Sequence, residues 1–165
     1  MTQLLSLLLL LVLWIPAHAQ SWVLRDDGIG PLTIGMSIAT IEKTLGKPLA
    51  GPGDHENQQC FHARISSHPD VALMIEDQTL TRIDIGHGNT ATSGGVLVGD
   101  SVEKAKKVYG QNLVVTTHAY DERELYLTNL SRDGKSAIRF ETHQGKISAI
   151  YGGFYKSVQY IEGCL

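Results

Sequence analysis

The stretch Pro31–Leu49, with the sequence PLTIGMSIATIEKTLGKPL, is the part of the chain that decides the predicted fold. A weaker copy, GVLVGDSVEKAKKVYGQNL, occupies Gly95–Leu113, 64 positions downstream. The residues that are identical at this offset are Gly35/Gly99, Ser37/Ser101, Lys43/Lys107, Gly46/Gly110 and Leu49/Leu113. Because a fixed internal period indicates a repeated structural unit, the sequence predicts two copies of one unit.

Each copy predicts a short helix that its own sequence begins and ends. Ser37 is suited to the N-cap, because its hydroxyl can accept a hydrogen bond from an amide of the first turn. Gly46 is suited to the C-terminal end, because glycine adopts positive φ without a steric penalty. The apolar stripe between them consists of Ile38, Ile41 and Leu45. The second copy predicts the same helix between Ser101 and Gly110.

Alternating apolar and polar residues predict three strands after each helix. They are expected at 60–65, 71–76 and 79–85, then at 124–129, 136–142 and 146–151, with a C-terminal strand at about 157–162. A meander with one apolar face needs a covering helix. We therefore predict an α+β protein of two tandem repeats, each a short helix plus a three-stranded antiparallel meander, forming a helix-covered sheet. Repeat 1 spans about 30–86 and repeat 2 about 94–152.

The beginning of the chain predicts export. An apolar run from Leu4 is followed by Ala17-His18-Ala19, which is typical of a signal peptide over residues 1–19. We expect residues 20–165 to form a single periplasmic or secreted domain, with no stable membrane anchor after cleavage. The net charge of −3 and the pI near 6.1 favour neither nucleic acid nor an anionic membrane as a partner.

The two cysteines, Cys60 and Cys164, both lie in the mature part of the chain. An even number of cysteines in an exported protein predicts a disulfide. A redox-active pair is the alternative, but no C-x-x-C spacing is present to lower a thiol pKa. The sequence therefore favours a structural bond that ties the C-terminus to the first repeat.

No motif in the sequence indicates a catalytic, cofactor or metal site. The histidines of the mature part form no H-x-H or H-x₃-H pattern, and there is no G-x-S-x-G elbow. Neither phosphate-binding glycine pattern is present. We therefore predict a protein without a cofactor, a metal or an enzymatic activity. A small-ligand-binding or hydrolytic periplasmic protein is the alternative, because catalytic groups can converge from distant positions.

The first copy of the repeat resembles a known family. Gly35-Met36-Ser37, Ile41 and Leu45-Gly46-Lys47-Pro48 resemble the G-M-[ST]-x-x-x-[IV]-x-x-x-L-G-x-P signature of the BamE-like (SmpA/OmlA) outer-membrane assembly lipoproteins. The tandem arrangement resembles the β-lactamase-inhibitory-protein fold. The resemblance implies a periplasmic or secreted module that binds another protein, as an envelope-assembly partner or as an inhibitor of an extracellular enzyme.

The sheet face opposite the apolar residues is the predicted binding surface. Aromatic residues, methionine and arginine are enriched at protein interfaces, and this face carries all three. Its residues are His62, Arg64, Met74, Arg82, Asp84, Glu124, Tyr126, Arg139, Glu141 and Tyr151. The alternative is an ordinary solvated face with cross-strand ion pairs, as most antiparallel sheets have.

Overall fold

The structure is a computed structural model that describes residues 22–51 and 59–164, except for the side chain of Gln111. The predicted signal peptide and His55 lie outside the described residues. Within the described ranges, no helix is long and apolar enough to cross a membrane.

The structure has ten strands, three helices and one 3-10 turn among the described residues. The strands are β1 Leu24–Arg25, β2 Gly28–Ile29, β3 Leu32–Thr33, β4 Cys60–Ile65, β5 His68–Glu76, β6 Thr79–Ile85, β7 Leu113–Thr117, β8 Leu125–Leu130, β9 Ser136–His143 and β10 Lys146–Phe154. The helices are α1 Ile38–Leu45, α2 Val102–Tyr109 and α3 Tyr155–Val158, and the 3-10 turn is Gly110–Asn112.

The strands form two antiparallel sheets. The small sheet has the order β1-β2-β3, and the large one has the order β4-β5-β6-β10-β9-β8-β7. Two meanders, β4–β6 and β7–β10, meet where β6 pairs with β10, with Ile85 opposite Ile150. The chain therefore builds one continuous sheet of seven strands from its two halves.

The predicted fold class is wrong. The molecule is mostly β, with one three-stranded and one seven-stranded sheet and only three short helices in the described residues, and it does not consist of two tandem helix-plus-meander repeats. The second half has a fourth strand, β7, at a β-branched segment to which the sequence analysis assigned no strand. The N-terminal residues form a sheet of their own. Residues 157–162 form no strand, since the chain turns into α3 there.

The two longer helices begin and end where their capping residues predict. The Ser37 hydroxyl accepts a hydrogen bond from the amide of Thr40, and Gly46 ends α1 with a φ of 68°. Ser101 accepts from Lys104 in the same way, and Gly110 ends α2 with a φ of 69°. The capping residues therefore determine where both helices begin and end, although the two predicted helix-plus-meander repeats are not present.

The core lies on one face of the seven-stranded sheet. Apolar residues from β4 to β10 pack there against residues from the small sheet and from the two longer helices. The fully buried members include Leu24, Ile29, Leu32, Ile41, Leu73, Ile83, Phe140 and Ile150. A sheet buried on one face leaves the other face for polar residues, and the candidate site lies on that second face.

Gly152 makes room for the small sheet against the large one. A Cβ added at this position would lie 2.7 Å from the carbonyl oxygen of Arg25 and 2.8 Å from the side chain of Leu24. Since the first neighbour is backbone, the clash cannot be relieved by a change of rotamer. The β1 strand can approach β10 this closely only because residue 152 has no side chain.

We expect Gly152→Ala to lower the free energy of unfolding by about 1–3 kcal/mol, because overpacking forces the backbone apart. Urea denaturation measures this change. The matched control is Gly86→Ala, since an added Cβ at Gly86 meets no atom within 4 Å. Equal stabilities for the two variants would contradict the close approach of β1.

Candidate binding site on the polar face of the sheet

The polar face is the face of the seven-stranded sheet opposite the core. Strand register aligns its side chains in rows that cross the sheet. One row contains His62, Met74, Arg82, Gly153 and Ala137, and the next contains Arg64, Ala72, Asp84, Tyr151, Arg139 and Thr128. A third row contains Ala149, Glu141, Tyr126 and Thr116. Nine of the ten predicted binding residues therefore share this face, and Glu124 is the exception.

The C-terminal segment, residues 155–164, lies across part of the polar face. Arg82 donates from Nη1 to the carbonyl oxygens of Ser157, at 3.1 Å, and Tyr160, at 3.0 Å. A disulfide joins Cys60 to Cys164 across 104 positions of sequence. These contacts hold the segment over β4, β5 and β6, so the predicted disulfide is confirmed and its role is to tie this segment to an edge strand.

Arg139 holds the same segment from β9. Its Nη1 donates to the carbonyl oxygen of Val158, at 3.3 Å, and to the side-chain oxygen of Gln159. Its guanidinium carbon lies 3.8 Å from the centroid of the Tyr126 ring. The last carbonyls of a helix lack intrahelical partners. Two buried arginines supply donors to the carbonyls at and beyond the end of α3.

Four of the predicted binding residues are buried. Met74 is fully buried, and Arg82, Tyr126 and Arg139 are each 5% exposed or less. These side chains are not available at the surface, so the polar face is not open at its centre. The expectation of an open face rested on helices covering the apolar face, but the chain also turns back over the polar face, beginning with α3.

Asp84 is held by Arg82 and His62. Arg82 donates from Nε to Oδ1 at 2.6 Å and from Nη2 to Oδ2 at 2.8 Å, and His62 Nε2 lies 3.2 Å from Oδ2. Burial alone would raise the pKa of Asp84, but the hydrogen bonds from His62 and Arg82 outweigh it and lower that pKa. The carboxylate stays ionised and orients both partners.

Glu141 forms the corresponding centre on the other half of the face. It accepts hydrogen bonds from the Tyr151 hydroxyl, at 2.6 Å, and from His118 Nε2, at 3.0 Å. The His118 ring stacks on Tyr126 with centroids 4.6 Å apart. Burial and the neighbouring Glu141 carboxylate raise the pKa of Tyr151, so its hydroxyl remains a donor. His118 is a site residue that is not among the ten predicted from the sequence.

Glu124 has a structural role outside this cluster. Its carboxylate accepts from the backbone amide of Gln144, at 2.7 Å, and from the Thr142 hydroxyl, at 2.8 Å. These hydrogen bonds lower the pKa of Glu124, with the backbone donor first in importance. Gln144 lies at the β9–β10 turn with a φ of 52°. Glu124 therefore holds a strained turn.

A recess of about 320 Å³ opens on the uncovered part of the polar face. Its lining residues are His62, Arg64, Asp70, Ala72, Asp84, Gly86 and His87. Three of these, His62, Arg64 and Asp84, were predicted to bind. Of the other four, Asp70 and Ala72 lie in β5, and Gly86 and His87 follow β6. Ala72 alternates with Val71 inside the predicted strand 71–76, and the same period extended back from Val71 would have placed Asp70 on this side.

Two charged side chains of the recess, Arg64 and Asp70, form no ion pair with the part of the chain that the structure describes. The exposed guanidinium of Arg64 donates only a 3.4 Å hydrogen bond to the carbonyl oxygen of Pro69, and Asp70 accepts from the Thr90 hydroxyl at 2.6 Å. Over the described ranges, neither residue has a charged partner within 4.0 Å. Among those same residues, no cluster of His, Cys, Asp and Glu is arranged to hold a metal ion.

The comparisons with known proteins identify a similar fold. No protein-family profile matches the chain, and no curated protein matches it. The crystal structure of the uncharacterized protein YfeY from Escherichia coli is similar, with a TM-score of 0.51 and 15% sequence identity. The match covers 79% of this chain and 99% of that chain. At this identity the similarity shows a shared fold and carries no function, so the resemblance to BamE-like proteins stays a prediction.

The disulfide is typical of an oxidising, extracytoplasmic environment.

Replacing both cysteines by serine is expected to lower the free energy of unfolding by up to about 4.7 kcal/mol, the chain-entropy value for a loop of about 100 residues. Denaturation with and without a reducing agent measures the change. The reductant should destabilise the wild type and leave the double variant unaffected; an unaffected wild type would contradict the prediction.

We expect Asp84→Asn to destabilise the fold by about 3 kcal/mol at pH 7, because it leaves Arg82 buried without its charged partner. A carboxyl with a lowered folded-state pKa stabilises above its unfolded pKa and loses that contribution as the pH falls through the folded value. Wild-type stability should therefore drop below about pH 4 more steeply than that of Asp84→Asn. Urea denaturation at pH 7 and pH 3 tests this, with the exposed Glu122→Gln as control; parallel pH profiles would contradict it.

Proposed function

We propose that the chain is a periplasmic or secreted protein-binding module, and that its partner contacts the recess on the polar face. The observation that supports this most directly is the placement of Arg64 and Asp70 in the recess wall, with no ion-pair partner for either one in residues 22–51 and 59–164. Arginine is enriched among the residues that dominate protein interfaces. A partner with an acidic and a basic side chain at matching positions would complement both charges.

The lining of the recess favours a protein partner over a small apolar ligand. Pockets for small molecules are usually about 300–1,000 Å³ and mostly apolar. The recess lies at the lower end of this range, and Ala72 is its single apolar side chain. Such a site can receive polar side chains from a partner surface. A small polar ligand is the second candidate, because the recess is concave and two histidines face it.

Binding is also favoured over catalysis. His62 and His118 each contact a carboxylate, which is the arrangement that orients a catalytic base. In residues 22–51 and 59–164, however, no serine hydroxyl is hydrogen-bonded to either ring. Both histidines instead belong to networks that hold Arg82, Tyr126 and Tyr151 in place. Envelope assembly and inhibition of an extracellular enzyme are both compatible with this role.

The test is a quantitative affinity capture from envelope and culture fractions. Arg64→Glu reverses the exposed charge of the recess, so a true partner should bind at least about tenfold more weakly, equivalent to about 1.4 kcal/mol. Arg132→Glu makes the same charge change in the exposed β8–β9 turn and should retain the partner. Titration of the purified partner against both variants then gives the affinities.

Equal binding by the two variants would reject the recess as the contact site. Equilibrium dialysis of the wild type against the small-molecule fraction of the same extracts separates the second candidate. A low-molecular-weight compound retained by Arg132→Glu and lost by Arg64→Glu would establish a small-ligand site in place of a protein interface.

A further inference from the structure

The two edge strands of the seven-stranded sheet, β4 and β7, differ in how their outer backbone groups are covered. At the β4 edge, Ala50 and Arg64 exchange backbone hydrogen bonds of 3.1 and 2.6 Å, and the disulfide fixes Cys60. At the other edge, β7 pairs with β8 and with no other strand among the described residues. Natural sheets protect their edges with charges, proline, bulges or covering chain. The β7 sequence, LVVTT, has no charge and no proline, and its two valines are 50% and 48% exposed.

The direction of the free backbone groups on β7 follows from the hydrogen bonds of its neighbours. His118 donates its amide to Glu124 at 2.9 Å, in the register that pairs β7 with β8. In an antiparallel ladder, hydrogen-bonded pairs alternate with non-hydrogen-bonded pairs. Even-numbered residues of β7 therefore bond to β8, and the odd-numbered ones point their N–H and C=O groups away from the sheet.

The β8–β9 pairing supports the same assignment. Ser131 donates its amide to Ser136 at 2.9 Å, so odd-numbered residues of β8 bond to β9 and even-numbered ones bond to β7. The residues of β7 with free backbone groups are thus Leu113, Val115 and Thr117. This set is symmetric about Val115, which is the arrangement that an antiparallel copy of the same strand would match.

We propose that a second copy of this chain pairs with β7 in antiparallel orientation, about a two-fold axis at Val115. Val115 then lies opposite its own copy, and Leu113 lies opposite Thr117. All three outward pairs of N–H and C=O groups find partners, and the two chains form a continuous sheet with seven strands from each. The interface is isologous, as in most homodimers.

The composition of the strand and of its flanks favours a second copy as the occupant. Because β7 is uncharged, no like charges meet across the axis, and β-branched cross-strand pairs are stabilising. Lys106 and Lys107, both exposed, precede β7 in the last turn of α2. Glu122, which is exposed, follows its other end. Antiparallel pairing places the basic end of one chain on the same side as Glu122 of the other.

The small interface of the proposed dimer predicts a low affinity. Five residues of each strand form the contact, which is smaller than the interfaces of about 1,200–2,000 Å² that characterise stable complexes. We therefore expect a dissociation constant in the micromolar range or above, and a monomer–dimer equilibrium that depends on protein concentration. The proposal is independent of the recess, which lies on the other half of the sheet.

The experiment uses sedimentation velocity on the disulfide-bonded mature chain across a concentration series. The wild type should change from monomer to dimer, whereas Val115→Lys and Val115→Glu should each remain monomeric, because like charges meet at the axis. An equimolar mixture of the two variants should dimerise again, at least tenfold more readily than either alone. Val108→Lys, at an exposed valine of α2, is the matched control and should dimerise like the wild type.

Hydrogen exchange tests the same proposal without a substitution. In the dilute wild type, the amides of Val115 and Thr117 should exchange faster than those of Val114 and Thr116, which bond to β8. At dimeric concentrations, the protection of Val115 and Thr117 should rise at least tenfold. A wild type that stays monomeric up to about 1 mM would overturn the proposal, because the dissociation constant would then be weaker than a specific dimer requires. The proposal would also be overturned if Val115→Lys dimerised like the wild type, or if the mixture of the two variants did not associate. A third contradiction would be amide exchange at Val115 and Thr117 that does not change with protein concentration.

Discussion

The fold depends on the junction between β6 and β10, where two meanders become one sheet. Gly152 and Gly153 lie at this junction, and each allows a close approach on a different side. Without a side chain at Gly152, the backbone of Arg25 can pack against the core face. A Cβ at Gly153 would lie 2.3 Å from the carbonyl oxygen of Thr81, next to the α-carbon of Arg82. The same pair of residues therefore determines how the small sheet sits on one face and how β6 presents Arg82 on the other.

Two arginines, Arg82 and Arg139, are buried on the polar face. Burying a cation costs free energy. A buried cation is tolerated when every donor has a partner and a counter-charge lies close by. Arg82 meets this condition through Asp84 and the carbonyls of the C-terminal segment. Among the described residues, Arg139 contacts no carboxylate; its guanidinium donates to carbonyl oxygens and lies over the Tyr126 ring, and burial lowers its pKa. The C-terminal segment is therefore an integral part of the polar face.

The local structure was largely predictable from sequence, and the long-range arrangement was not. Ser37, Gly46, Ser101 and Gly110 specify helix ends through contacts within one turn, so the two helices could be predicted. Residues 157–162 were predicted to form a strand, but Arg82 and Arg139 donate hydrogen bonds to carbonyl oxygens of this segment, where α3 ends. Likewise β7 follows the second repeat copy directly, and its pairing depends on β8.

The same limit applies to the candidate site. Strand alternation placed nine of ten predicted residues on one face, because the period of a strand is a local property. Which of those residues remain accessible depends on the covering segment, and alternation says nothing about that. Arg64 and Asp70 come from neighbouring strands, and Asp70 was missed because the predicted strand began at Val71, whereas β5 begins at His68.

The recess and the free edge occupy opposite ends of the strand order, and this separation has a functional consequence. A two-fold axis between antiparallel strands is perpendicular to the sheet, so the polar faces of both chains in the proposed pair would point in the same direction. From β5 to the axis beyond β7 there are between five and six strand spacings. At about 4.8 Å per spacing, the two recesses would lie roughly 50 Å apart. A partner that presents two copies of its contact site at a similar distance would bind with avidity, because the second contact forms intramolecularly. Self-association at β7 would then set the affinity for a repetitive or oligomeric partner without adding any contact to the recess.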